Sequence, residues 1–286
     1  MGDEIIGLHS WFATPAGRYL LAWEQARFDV AVDDIFGYHG VQLGLSVLDG
    51  LRASRVRRHW LAAGSADLQS AAGGARSLLP MRPHALVTDF CALPFAQASL
   101  DMVLMPHTLD LAVDPHAALR EAERVLVPDG KLVICGINPA SLWGLKQRRL
   151  RALRRIGVGA DEDFLPEGMD GIGYWRLRDW LRLLSFEVES AQFGCFRPAM
   201  RNQRWLDRMA WLDTAGDRWW PIFGAAYFVV ATKRVASMRL LTPAWKTRTG
   251  RKETTAVAVA GRDNAARRTG SPSPVPSHSP SPPSDS

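Results

Sequence analysis

The sequence predicts an α/β protein with a doubly wound, mainly parallel sheet and helices on both faces. Three observations carry that expectation. Short apolar runs alternate with stretches of helical periodicity from about residue 11 to residue 235. Several of those runs are almost uninterrupted by polar residues, as strands covered on both faces require. One stretch, from Leu100 to Ile137, reads as strand, capped helix, turn and strand, which is a βαβ unit with a right-handed crossover.

In chain order, residues 11–35 place Leu20, Leu21, Trp23 and Ala26, then Val30, Val32 and Ile35, at helical spacing, so one or two helices open the chain. GVQLGL, residues 40–45, is a buried strand that turns sharply at Gly44. HWLAAG, residues 59–64, reads as a second strand or, being rich in alanine, as helix. HALVTDF, residues 84–90, and LDMVLMP, residues 100–106, are strands by their β-branched and long apolar residues. DPHAALREAERVL has Asp114 as N-cap, Pro115 in the first turn, and one apolar face made by Ala118, Leu119, Ala122, Val125 and Leu126. Asp129 and Gly130 turn into the strand KLVICGI; YWRLRDWLRLL is an amphipathic helix leading to the strand FEVESAQF, and GAAYFVVATKR supplies a last one.

The net charge of +6 and isoelectric point near 9.6 would suggest nucleic acid if spread over the domain. They are not: residues 236–286 carry eight basic and three acidic residues, leaving residues 1–235 almost neutral. That segment ends in SPSPVPSHSPSPPSDS, which cannot bury enough apolar surface to offset the entropy of ordering, so a disordered basic tail is expected and nucleic-acid binding by the domain is not. Without an apolar run of membrane-spanning length or a secretory leader, a cytoplasmic location follows as the expectation. Cys91, Cys135 and Cys195 are too scattered for disulfides or a metal site, and are expected in the core or lining a pocket.

Residues 89–138 carry more than fold class. Asp89, then Leu93, Pro94, Phe95, then Ser99, Leu100, Asp101, then Leu119, Arg120, Glu121, Arg124, Val125, Leu126, and finally Pro128, Asp129, Gly130 stand in register with a known pattern. The stretch resembles the small-molecule class I S-adenosylmethionine-dependent methyltransferases, the ubiquinone/menaquinone-biosynthesis-like family. FGYHGVQLG together with INPASLWGL is similar to an uncharacterised bacterial branch of it, so the resemblance spans about residues 11–235. It implies a Rossmann-like fold, S-adenosyl-L-methionine as cofactor and a small acceptor. N-terminal helices (1–38), a cofactor-binding core (39–139) and an acceptor cap with the final strands (140–235) would precede the tail (236–286).

The resemblance also implies cofactor contacts from Gln42, Leu43, Gly44 and Leu45, from Ser65, from Asp89, Phe90 and Cys91, and from His107. In such sheets ligands bind outside the carboxyl ends of the strands, where the short Asp89 carboxylate can accept a hydrogen bond from the adenine amine; the other reading of Asp89 is a solvated loop cap. The chain departs from the family in two places. The first turn has one glycine, Gly44, where the family has three, and Gln42 replaces a carboxylate; the acidic residue expected at the end of the second strand is missing, with Ser65 or Asp67 nearby. Losing such charge-assisted bonds costs roughly 1.5–3 kcal/mol each. A catalytically silent protein on the same fold, acting as a binding or regulatory module, is therefore the competing reading. His107 is the candidate catalytic base, or else a ring that caps a loop or packs at the core edge. No residue set points to a metal.

Two further features have open readings. KQRRLRALRR, residues 146–155, holds six cations, which either form a solvated helix face or meet anionic lipid, an acidic carrier protein or a phosphorylated acceptor. Weak electrostatic contacts through this segment and the tail are the partner expectation. Trp205, Trp211, Trp219 and Trp220 either line an apolar acceptor pocket or cover the sheet.

Overall fold

The computed structural model describes residues 10–64, 83, 85–157, 164–166, 171–200 and 202–235. The chain divides into two units, Met1–Ser237 and Met238–Ser286. The second, with the expected tail, and Ser65 and Asp67 lie outside the described residues.

The first unit is built on a seven-stranded sheet. Its strands are β1 (His39–Leu43), β2 (Arg58–Ala63), β3 (Leu86–Val87), β4 (Leu100–Pro106), β5 (Leu126–Ile137), β6 (Phe186–Gly194) and β7 (Ala226–Lys233), in the order β3-β2-β1-β4-β5-β7-β6. The first five run parallel, and β7 is antiparallel to both β5 and β6. The order reverses between β1 and β4, the switch point at which such sheets bind ligands. HWLAAG is thus strand, not helix: its alanines stack on a sheet buried on both sides. HALVTDF forms only the two-residue β3, because it lies at the sheet edge and pairs on one side, with Ala62 and Ala63. The turn at Asp129, with φ +61°, sits inside β5 and does not precede it.

Helix α1 (Pro15–Asp33) is capped by Thr14, whose Oγ1 accepts from the Gly17 N–H at 3.2 Å, and has proline in its first turn. Its inward face repeats every four residues through Ala16, Leu20, Glu24, Phe28 and Val32, and covers one side of the sheet. After the short α2 (Thr108–Leu111), α3 (Pro115–Val125) starts as expected: Asp114 Oδ1 accepts from the Ala117 N–H at 2.9 Å, and Ala118, Leu119, Ala122 and Val125 are buried on the opposite side. Helix α5 (Tyr174–Leu183) joins α3 there through Leu177 and Leu181. Helix α4 (Leu142–Arg155) follows β5, and α6 (Gln203–Arg208) with α7 (Trp211–Trp219) lies between β6 and β7. The chain from Gly44 to Arg57, which joins β1 to β2, contains only turns and no helix.

Candidate cofactor site

The strand directions bring the ends of β1, β2 and β4 and the segment after β3 to one edge. Leu43 and Gly44, Asp89 and Phe90, and His107 stand there with Ile137 at the end of β5. The expected residues described there fall into two groups, and a cavity lies beside them.

In the first group, side chains are turned inward. Gln42 is fully buried, and its amide clasps the loop that follows β1. Nε2 donates to the carbonyls of Gly44 (3.3 Å), Leu45 (3.1 Å) and Leu48 (2.8 Å), and Oε1 accepts from the Gly50 N–H (3.0 Å). A carboxylate could not make the first three bonds, since it has no proton to give. The expected cofactor contact from the Gln42 side chain is therefore corrected: its polar atoms are used within the loop. Leu43 and Leu45 are buried too. Gly44 takes φ +73° and Leu45 φ +43°, so a non-glycine residue is held in left-handed backbone beside the clasp. The Gly44 N–H is spent on Ala62 O (2.7 Å), and Thr108 Oγ1 donates to Leu43 O (2.6 Å).

His107 belongs to this inward group as well. It is fully buried with both ring nitrogens engaged: Nε2 to Glu24 Oε1 at 2.7 Å and Nδ1 to Asp110 Oδ2 at 3.0 Å. Burial alone would lower its pKa, but the charge of Glu24 and the bonds to both carboxylates outweigh that and raise it to about 10. An imidazolium held by two carboxylates has no lone pair with which to take a proton, so the expected base role is corrected to that of a buried cation. Cys135 Sγ lies 3.2 Å from the same Glu24 oxygen, and burial pushes its thiol up. Glu24, His107 and Cys135 place three metal-ligating atoms within 4.8 Å of one another, with Asp110 behind the histidine. The Glu24–His107 separation is that of a hydrogen bond. Sequence reading missed Glu24 and Asp110, although Glu24 had a signal: it stands four residues from both Leu20 and Phe28 on the apolar face of α1.

The second group faces outward. Asp89 is exposed; its Oδ1 accepts from the Cys91 N–H at 2.9 Å, which consumes that amide, while Oδ2 and the Phe90 N–H have no partner among the described residues. The half-buried Phe90 ring lies over Gly44, so near that a Cβ there would sit 3.5 Å from it. Cys91 is half-buried, and burial followed by the charges of Asp89 and Asp114 raises its thiol.

The third feature is a cavity of about 220 Å³ lined by Ile137, Pro139, Gly144, Gln147, Arg148 and Leu165. Gln147 Oε1 accepts from the Phe164 and Leu165 N–H groups at 3.0 and 3.1 Å, and its buried Nε2 has no partner. The four tryptophans meet neither expectation: Trp205, Trp211, Trp219 and Trp220 are all exposed.

A family model described as "Methyltransferase domain" matches residues 61–134, which include Asp89, Phe90, Cys91 and His107 but not the loop after β1. Residues 61–134 are thus similar to a methyltransferase domain, set in a Rossmann-like fold. Among its curated relatives, "Uncharacterized protein YafS" of Escherichia coli is 42% identical over 106 residues, 37% of this chain and 40% of that protein. "Demethylmenaquinone methyltransferase" of Mycolicibacterium paratuberculosis is 34% identical over 149 residues, 48% of this chain and 63% of that one. The matches thus span less than two thirds of those relatives. A chain from the complex of the Haloferax volcanii Trm112 methyltransferase activator with a methyltransferase shares the fold, with a TM-score of 0.50 and 18% identity over 80% of this chain and 98% of that one.

As an S-adenosylmethionine site, the edge fits at the adenine end. An open carboxylate oxygen beside an open N–H complements the amino group and neighbouring ring nitrogen of adenine. At the other end, Gly44 supplies the left-handed turn, but the polar side chain beneath it is committed to the loop.

Proposed function

We propose that this chain binds S-adenosylmethionine at the carboxyl edge of its sheet and methylates a small, apolar or aromatic acceptor. The observation that carries the reading is the pair of unmatched groups at the adenine end, Asp89 Oδ2 and the Phe90 N–H. Asp89 accepts from the adenine amine, Phe90 donates to the ring nitrogen beside it, and the turn at Gly44 brings the backbone to the methionine end. The bound cofactor supplies an electrophilic methyl group; the chain aligns the acceptor and excludes water. His107, held as a cation, fixes the end of β4 and does not take the acceptor's proton. The cavity beside Ile137 and Leu165, lined also by Gln147, Arg148 and Arg151, has room for a small molecule, which supports an acceptor of that size. A cytoplasmic location is part of the reading. Among the described residues, no helix is long and apolar enough to cross a membrane.

The helix-free connection after β1, clasped by Gln42, favours a second reading in which the fold is kept as a binding module without turnover. Calorimetric titration of the full chain with S-adenosylmethionine and its demethylated product separates the two. Dissociation constants of tens of micromolar or tighter support the enzyme; no heat up to millimolar ligand contradicts it and leaves the silent module.

A further inference from the structure

Five consecutive apolar residues of the cap are exposed. Trp219, Trp220, Ile222 and Phe223 show 70, 58, 45 and 56% of their surface to solvent, and Pro221 between them is exposed as well. Contiguous apolar surface of this kind marks a contact site. The run is held in place by its backbone. Asn138 Nδ2 donates to Ile222 O (2.7 Å) and Gly224 O (2.9 Å), the Trp220 N–H to Gly216 O (2.8 Å), and the Phe223 N–H to Trp220 O (3.0 Å).

Asn138 also anchors the start of α4, since its carbonyl accepts from Oγ of Ser141, the N-cap of that helix, at 2.6 Å. The outward face of α4 is Leu142, Leu145, Arg149, Ala152 and, just beyond the helix, Ile156, all exposed and spaced three or four residues apart. Arg149 stands within that stripe and Arg155 beside it, while Lys146 and Arg148 donate to the carbonyls of Ala199 and Pro139; no acidic residue stands between Asn138 and Arg155. An apolar stripe bordered by cations, beside exposed tryptophans, is the chemistry of a helix lying in a membrane interface, where indoles sit at headgroup depth and basic side chains meet anionic lipid. A purely apolar face would fit a protein partner as well; the one-signed charge along α4 is what favours a lipid surface.

We propose that the run from Trp219 to Phe223 together with the outward face of α4 docks this chain on an anionic lipid bilayer. The surface is a property of the cap and does not depend on the cofactor reading. Loop and helix leave the same edge of the sheet as Gly194, Ala226 and Ile137, so docking turns the carboxyl edge toward the lipid.

The test is co-sedimentation of the full chain with vesicles of phosphatidylcholine alone and of phosphatidylcholine mixed with phosphatidylglycerol. Binding to the mixed vesicles is expected, weakening as salt rises, with little to the neutral ones. Trp219→Ser/Trp220→Ser should reduce it at least about tenfold, and Arg149→Gln/Arg155→Gln on the order of tenfold; both variants alter exposed side chains, so their melting temperatures should match the parent. No binding to mixed vesicles overturns the proposal. So does binding that both variants leave unchanged, which would assign it to the basic residues beyond Val235. Concentration-dependent dimers that the tryptophan variant abolishes, without lipid binding, overturn it in favour of a second copy of the chain.

Discussion

The polar groups at the carboxyl edge of the sheet are used in two opposite ways. Under α1 they are turned inward and used within the protein: Gln42 makes four bonds within its own loop, and His107 is gripped between Glu24 and Asp110, whose other oxygens, Glu24 Oε2 and Asp110 Oδ1, are buried without a partner. After β3 they are turned outward and left open, as Asp89 and Phe90 show. Leaving a donor or acceptor unmatched in water costs little, whereas leaving it unmatched in the core is expensive. Inward groups bonded within the protein therefore account for stability, and the open outward groups are those proposed for binding. The family match begins at Leu61, past the Gln42 loop, and includes both the outward segment and the inward His107 and Asp110.

Substitutions should separate the two roles. The largest expected effect is from Glu24→Ala, which strands a buried imidazolium and should cost about 3–5 kcal/mol in denaturant unfolding. A cost below 1 kcal/mol would break the comparison on its inward side. Gln42→Glu, which restores the family's charge, should destabilise by about 2–3 kcal/mol, because a carboxylate would face three carbonyl oxygens in a dry loop. A gain in stability would mean that the clasp is not what holds the turn.

Stability should also depend on pH through His107. Its folded pKa of about 10 lies above the ordinary 6.5, so its contribution is full below pH 6.5 and is lost as pH rises through 10. The melting temperature should fall between pH 6.5 and 9, and His107→Gln should flatten that slope. The buried Cys135 and Tyr227, both pushed up by burial, add losses only above about pH 9, near their ordinary values. The smallest effect on stability is expected from Asp89→Ala, within about 0.5 kcal/mol for an exposed side chain, although the same change should weaken S-adenosylmethionine binding about tenfold or more.

The sequence showed the fold well where local chemistry and burial agree. In α3, the Asp114 cap, the Pro115 start and the apolar face all act within one turn or one face of the helix, and each is found as expected. β3 is shorter than the sequence predicts because strand length at an edge depends on its neighbour, here the two alanines ending β2. The site was legible only in its outward half. Asp89 can be placed by the pattern around it, but the use of Gln42 depends on carbonyls up to six residues further on, and the environment of His107 on a glutamate 83 residues away in sequence. The tryptophans misled for a similar reason: apolar composition indicates burial on average, and only the three-dimensional structure shows that residues 219–223 stay outside.

The open pair at Asp89 and Phe90 is the proposed adenine site. A crystal structure of the chain grown with millimolar S-adenosylhomocysteine tests it most directly. The expected result is the adenine amine within hydrogen-bonding distance of the Asp89 carboxylate and a ring nitrogen on the Phe90 N–H, with Gln42 still bonded within its loop. Adenine bound elsewhere, or an Asp89 carboxylate still in solvent beside a bound ligand, would contradict it.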